Sequence, residues 1–146
     1  MATKPLNGIF GTSASLETEG IWIDYGEYGR IKVARAGGKN KAFKNLMERS
    51  LRPYRSAMNM GTMDDAVLER ITRENFAEAV VLDWDIVEEG PIDETTGKPT
   101  LVPVPFSREA CVKLFEALPD LFLDIMQQAQ TVVNFVEASR EIDAKG

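Results

Sequence analysis

An α+β fold is predicted, with an N-terminal β-hairpin or small antiparallel sheet followed by a mainly helical domain of about four helices. Three observations predict it. Ile21, Ile23 and Tyr25 alternate with Trp22 and Asp24, and beyond Gly26-Glu27-Tyr28-Gly29 the residues Ile31 and Val33 alternate with Lys32 and Ala34. That is the period of a hairpin with one apolar face, closed by a turn whose glycines tolerate positive φ. Further along, Phe43, Leu46 and Met47, and then Cys111, Leu114, Phe115 and Leu118, recur at helical spacing. Finally, 146 residues with 44% hydrophobic content suffice for one domain with its own core.

In chain order, residues 1–19 hold Gly, Ser, Thr and Pro without periodicity and read as a flexible arm, with a short strand at Gly8 to Phe10. The domain proper spans 20–140. After the hairpin, Gly37-Gly38 ends the extended chain and a helix covers Lys39 to Leu51, ended or kinked by Pro53. Thr62 or Asp64 caps the next helix, which is expected to run to about Trp84. Asp83, Asp85, Glu88, Glu89, Asp93 and Glu94 then make an acidic loop region. Within it Ile86-Val87 is expected to pair with Leu101-Val102 as a small edge ribbon, turned at Thr95-Thr96-Gly97-Lys98. Ser107 caps a helix with the stripe Cys111, Leu114, Phe115 and Leu118, and Pro119 opens the last helix. Residues 141–146 read as a frayed charged tail.

Composition excludes several chemistries. The chain has no histidine and one cysteine, Cys111. Ser-His and Cys-His nucleophiles, zinc hydrolase sites and internal disulfides are therefore out. The single thiol, on an apolar stripe, reads as a buried hydrophobe suited to a reducing interior. Neither Asp83 nor Asp93 opens a calcium-loop pattern. Gly38-Lys39 is no phosphate loop, because Val33 stands where the first glycine belongs and Asn40 where Ser or Thr would hold magnesium. No metal, cofactor or catalytic set is expected. With no apolar run of signal-peptide or bilayer length, no membrane association is expected either.

Charge is divided. From Arg30 to Arg55 nine basic residues face one acid, a net +8, whereas the whole chain is −6, so the remainder carries −14. Such asymmetry suits a nucleic acid, an acidic partner, or a match between basic and acidic faces of the protein. Too few aromatics interleave the basic run for a single-strand stacking platform, which counts against nucleic acid.

The stretch Ile125 to Val136 carries no charge at all. On a helix over Leu121 to Ala138, Leu121, Phe122, Ile125, Met126, Ala129, Val132, Val133 and Val136 share one broad stripe. Leu123 and Phe135 fall outside it, among Gln127, Gln128, Gln130, Thr131 and Asn134. Two readings fit: a helix buried on most sides in its own domain, or a surface that meets other protein, since interface cores are depleted in charge. On the second, Leu123, Met126 and Phe135 are the candidate partner-binding residues.

The order of these parts resembles a known family. Gly20-Ile21-Trp22-Ile23-Asp24-Tyr25-Gly26 leading into Arg30-Ile31-Lys32-Val33-Ala34-Arg35-Ala36-Gly37, a basic helix reaching Arg52-Pro53-Tyr54-Arg55, and then Val81-Leu82-Asp83-Trp84 carry the first part of the likeness. Val104-Pro105-Phe106-Ser107 before a helix and Leu118-Pro119-Asp120-Leu121-Phe122 opening the last one complete it. Over residues 20 to 140 the chain is similar to the small tail assembly chaperones of long-tailed bacteriophages (siphophage type), departing in its longer acidic loop with Pro91 to Pro103. The resemblance implies a non-enzymatic protein of the host bacterial cytoplasm, absent from the mature virion. It implies binding to the helical tape measure protein and recruitment of tail tube protein during virion morphogenesis, with self-association a further option. Grooves that hold amphipathic helices would serve such a role. The alternatives are a structural tail or neck adaptor of the virion and a nucleic-acid-binding regulator using residues 30–55.

Overall fold

The computed structural model describes residues 3–136. The alternating hairpin forms as expected: β1 (Ile21–Asp24) and β2 (Arg30–Val33) pair antiparallel, with Ile21 opposite Val33 and Asp24 opposite Arg30. Ile23, Ile31 and Val33 are buried on the inner face. On the outer face the Arg30 guanidinium stacks over Trp22, 3.9 Å from the ring centroid.

A third strand completes the sheet. β3 (Val81–Asp85) pairs antiparallel with β2, placing Asp85 opposite Arg30 and Asp83 opposite Lys32. This corrects the expected helix to Trp84: the helix stops at Ala79 and the chain is extended from Val81. The β-branched pair Val80-Val81 and the alternation Asp83-Trp84-Asp85 favour a half-buried strand, which buries Trp84 between two outward carboxylates.

The helices pack on the inner face of this sheet. α1 (Asn7–Phe10) and α2 (Ala14–Glu19) precede it. α3 (Lys41–Leu51) leads through a tight turn at Arg52–Tyr54 into α4 (Arg55–Met60), so Pro53 kinks the segment and Gly61, in the left-handed region, ends it. α5 (Asp65–Ala79) is capped by Asp64, whose carboxylate accepts from the Ala66 N–H. α6 (Arg108–Ala117) is capped by Ser107, and α7 (Pro119–Gln130) begins with proline in its first turn. Among the described residues, four helices reach ten residues or more, α3, α5, α6 and α7. Phe76 on α5 centres the core, edge-on to Phe43 at 5.0 Å and to Phe122 at 5.5 Å.

Of the segment expected as an arm, residues 3–10 are exposed, whereas Thr12 to Glu19 is tied to the fold. Gly8 to Phe10 lies in a helical turn rather than a strand, and Ser13 caps α2. Leu16 and Glu17 are buried, and Thr12 forms a bridge with Val136. The tie to the far end of the chain, invisible to local periodicity, orders the segment. The expected tail at 141–146 lies outside the described residues.

Beyond β3 the chain makes the anticipated ribbon. β4 (Val87–Ile92) pairs antiparallel with β5 (Pro99–Pro103), with Glu88 opposite Val102 and Glu89 opposite Leu101. The register is offset from the expected one, and the acidic region is therefore largely strand. Trp84 fixes the base of the ribbon by donating its indole N–H to the Val104 carbonyl at 2.7 Å.

Candidate functional site

The expected final helix breaks at its middle. α7 ends at Gln130, and Val132–Phe135 form a tight turn. The Thr131 hydroxyl donates back to the Gln127 carbonyl at 2.7 Å, and the Asn134 amide donates to the Gln128 carbonyl and side-chain oxygen, each at 3.0 Å. These bonds, next to the β-branched run Thr131-Val132-Val133, offer the backbone an alternative to helix. The turn redirects Phe135 inward.

This separates the three candidate binding residues. Phe135 is 0% exposed, and its carbonyl accepts from the Ser13 N–H at 2.9 Å. It belongs to the seam between the N-terminal segment and the closing turn and is not available to a partner, which corrects the expectation. Leu123, on the first part of α7, is 58% exposed, and Met126 is half-buried one turn on. Leu118, expected in the α6 stripe, is instead exposed at the α6–α7 corner, whereas Cys111 and Phe115 are buried as expected. Burial pushes the Cys111 thiol up to about 12, consistent with a packing role.

Leu123 and Met126 share a groove between α5, α6 and α7 with a volume of about 270 Å³. Its walls are Phe115, Pro119, Phe122, Leu123 and Met126, and its rim is Glu69, Arg73 and Glu116. Stacked apolar side chains line the floor, with Phe115 and Phe122 4.8 Å apart. At the rim Arg73 Nε is buried without a hydrogen-bond partner among the described residues, its nearest carboxylate being Glu116 at 3.7 Å. The arrangement is an apolar trough with one unsatisfied donor and two carboxylates at its edge. Chemically it can hold an apolar helix face, and the outer nitrogens of the Arg73 guanidinium, whose side chain is 21% exposed, can donate to an acceptor beside it.

Elsewhere buried polar groups are matched. Glu17, 0% exposed, accepts from the Arg35 guanidinium and from the Lys39 N–H at 2.9 Å. Burial works against its charge, but the hydrogen bonds from Thr12, Arg35 and Lys39 and the nearby positive charge outweigh it and hold the carboxyl below its ordinary range. Gly38 is required here: its φ is +54°, and a Cβ would lie 2.8 Å from both Arg35 Nη1 and Glu17 Oε1. Asn40 caps α3 and donates to the Arg35 and Ala79 carbonyls at 2.9 and 3.1 Å, joining helix, loop and sheet. Tyr25 donates to Asp124 at 2.6 Å; its burial, and then this carboxylate, hold the phenol above its ordinary range.

The basic run is partly spent within the fold. Arg30 and Lys32 face Asp85 and Asp83 across the sheet, and Arg35 is bound to Glu17. Lys39, Lys41 and Arg49 line a second, shallower cleft of about 730 Å³ beside Asn45, Leu46 and Leu82. Among the described residues there is no cluster of metal-ligating side chains, and no helix is long and apolar enough to cross a membrane.

The chain matches the profile of the YdaY prophage protein family over residues 38–146, a span that includes α3 to α7 and the apolar groove. No curated protein and no solved structure matches it. The protein is phage-derived, and the chain belongs to the YdaY prophage protein family.

Proposed function

We propose that this phage protein is a tail assembly chaperone that binds an amphipathic helix of the tape measure protein in the α5–α6–α7 groove. The observation that carries the reading is the exposed Leu123 beside Met126 at an apolar groove whose rim carries the unsatisfied Arg73 Nε. A helix laid in such a trough buries its apolar face, and its side chains or carbonyl end can accept from Arg73. Reversible protein binding of this kind requires no catalytic group. It fits a role in the host bacterial cytoplasm in which tail tube subunits are recruited later and the chaperone leaves before the virion is complete. The prophage family and the order of motifs shared with tail assembly chaperones support the same reading.

Co-expression with the tape measure protein encoded by the same phage tests it. The expected outcome is that the tape measure protein moves from the insoluble to the soluble fraction and co-purifies with this chain. Unchanged solubility with no co-purification would refute the proposal. Mass spectrometry of purified virions separates this role from that of a tail or neck adaptor, which would be retained in the particle.

A further inference from the structure

The β4–β5 ribbon is the part of the molecule that its own core leaves uncovered. Val87, Ile92, Leu101 and Val102 are all exposed, Leu101 at 70% and Ile92 at 67%. Apart from each other, its strands make only sparse contact with the rest of the chain. A two-stranded ribbon is marginal in water by itself, and open edges bearing apolar side chains are sites of further pairing or docking. Its base is nonetheless fixed by the Trp84–Val104 hydrogen bond and by the Val104 N–H donating to Ile86. The ribbon is thus presented rather than loose. It is also acidic: between Val87 and Pro103, Glu88, Glu89, Asp93 and Glu94 stand against Lys98, a net −3.

The complementary surface lies on the same protein. From Lys39 to Arg55 six basic residues face Glu48, a net +5. The cleft there has Lys39, Lys41 and Arg49 at its edge and Ala42, Leu46 and Leu82 on its apolar wall. It sits at the N-terminus of α3, where the helix dipole further favours carboxylates. Its acidic lining residue, Glu78, is already engaged by Arg108 at 3.6 Å. No ribbon residue lines this cleft in the same chain. The two surfaces lie at opposite ends of β3, the cleft near Leu82 and the ribbon beyond Asp85.

We infer that the occupant of the cleft is the acidic ribbon of a second copy of this chain. Glu89, which by the strand register shares one ribbon face with Ile92 and Leu101, meets Lys39, Lys41 and Arg49, while Ile92 and Leu101 cover the apolar wall. Each copy carries one ribbon and one cleft, so a two-fold pair satisfies both contacts at once. Long-range repulsion between two chains of net charge −6 opposes the contact. At physiological ionic strength, however, screening within about 8 Å leaves the local match dominant. The inference is independent of the tape measure reading, because it concerns a different set of residues from those of the α5–α6–α7 groove and no other protein.

Sedimentation velocity of the full chain, over a concentration series at physiological ionic strength, measures the self-association. The wild type is expected to associate. Glu88→Lys/Glu89→Lys and Lys41→Glu/Arg49→Glu, all at exposed positions and checked for folding by circular dichroism, are each expected to weaken it about tenfold or more. An equimolar mixture of the two variants should restore it, because each supplies the surface the other retains in reversed sign. The first variant brings the net charge from −6 to −2, so if bulk repulsion alone governed association it would strengthen it instead. A wild type monomeric throughout the series, variants that associate like wild type, or a mixture without restoration would each overturn the inference. None of these outcomes bears on capture of the tape measure protein, which co-expression reads separately.

Discussion

The seam that holds Phe135 and the groove that exposes Leu123 draw on the two halves of one largely apolar segment, Leu121 to Val136, yet they differ in nearly every physical respect. At the seam Phe135 is fully enclosed, its carbonyl takes the Ser13 N–H, and Val136 bridges to Thr12. Nearby Glu17 has its charge matched by Arg35 and by the Lys39 N–H. At the groove Leu123 is open to solvent and Arg73 Nε lacks a hydrogen-bond partner among the described residues. Apolar side chains of one segment therefore make two kinds of surface, one closed by the chain itself and one open to solvent. The break at Thr131 separates them, since α7 carries the open surface and the turn after it carries the closed one.

The largest effect that would sharpen this contrast is at the seam. Phe135→Ala removes an enclosed aromatic ring and leaves a cavity, and is expected to cost about 3–5 kcal/mol. For a chain of this length that lowers Tm by about 2–4 °C per kcal/mol. Thermal or urea denaturation measures it. A loss below about 1 kcal/mol would mean that the N-terminal segment is not anchored as described and would dissolve the distinction between the two regions.

The next effect concerns the charge at the seam. Glu17→Gln is expected to destabilise by about 1–3 kcal/mol near neutral pH, because it weakens a buried acceptor of charged and backbone donors. The sign with pH follows from the depressed pKa of Glu17. Its contribution is complete above the carboxylate pKa of the unfolded chain, declines as pH falls below that value, and is gone once pH passes the lower folded value. Wild type and variant should therefore converge in stability as the solution is acidified. Denaturation midpoints at a series of pH values read this directly, and a gap that stays constant down to strongly acid pH would show that Glu17 is not held as a carboxylate.

How much of this could be read from residues alone follows the same division. The hairpin, the caps at Asp64 and Ser107, the proline opening α7 and the ribbon are local patterns, and each forms where its spacing and turn chemistry place it, the ribbon with its register offset. Misreadings arose where contacts distant in sequence decide the outcome. Val81 to Asp85 continues an apolar run that looks helical, but an open edge on β2 draws it into the sheet. The N-terminal helices depend on Val136 and Arg35, residues no local window includes. For Phe135 the signal is the β-branched Thr131-Val132-Val133 followed by Asn134, a helix-breaking run that interrupts the longer apolar stripe. Leu123 and Met126 were legible as candidates because they lie before that break. Glu69, Arg73 and Glu116, the charged rim of the groove, come from α5 and α6 and give no signal by spacing.

The smallest expected change in stability carries the functional half of the comparison. Leu123→Ser replaces a side chain already 58% exposed, so folding stability should change by no more than about 0.5 kcal/mol. If the groove holds a partner helix, however, the same substitution removes an apolar anchor from the contact and should weaken capture of the tape measure protein about tenfold or more. Met126→Ser, deeper in the groove, should reduce capture as well but with a measurable loss of stability, because Met126 also packs against the core. Denaturation and a pull-down on the same preparations separate the two readouts. Normal capture by Leu123→Ser would move the binding surface away from α7, whereas loss of capture at unchanged stability is the signature of a side chain kept exposed for a partner.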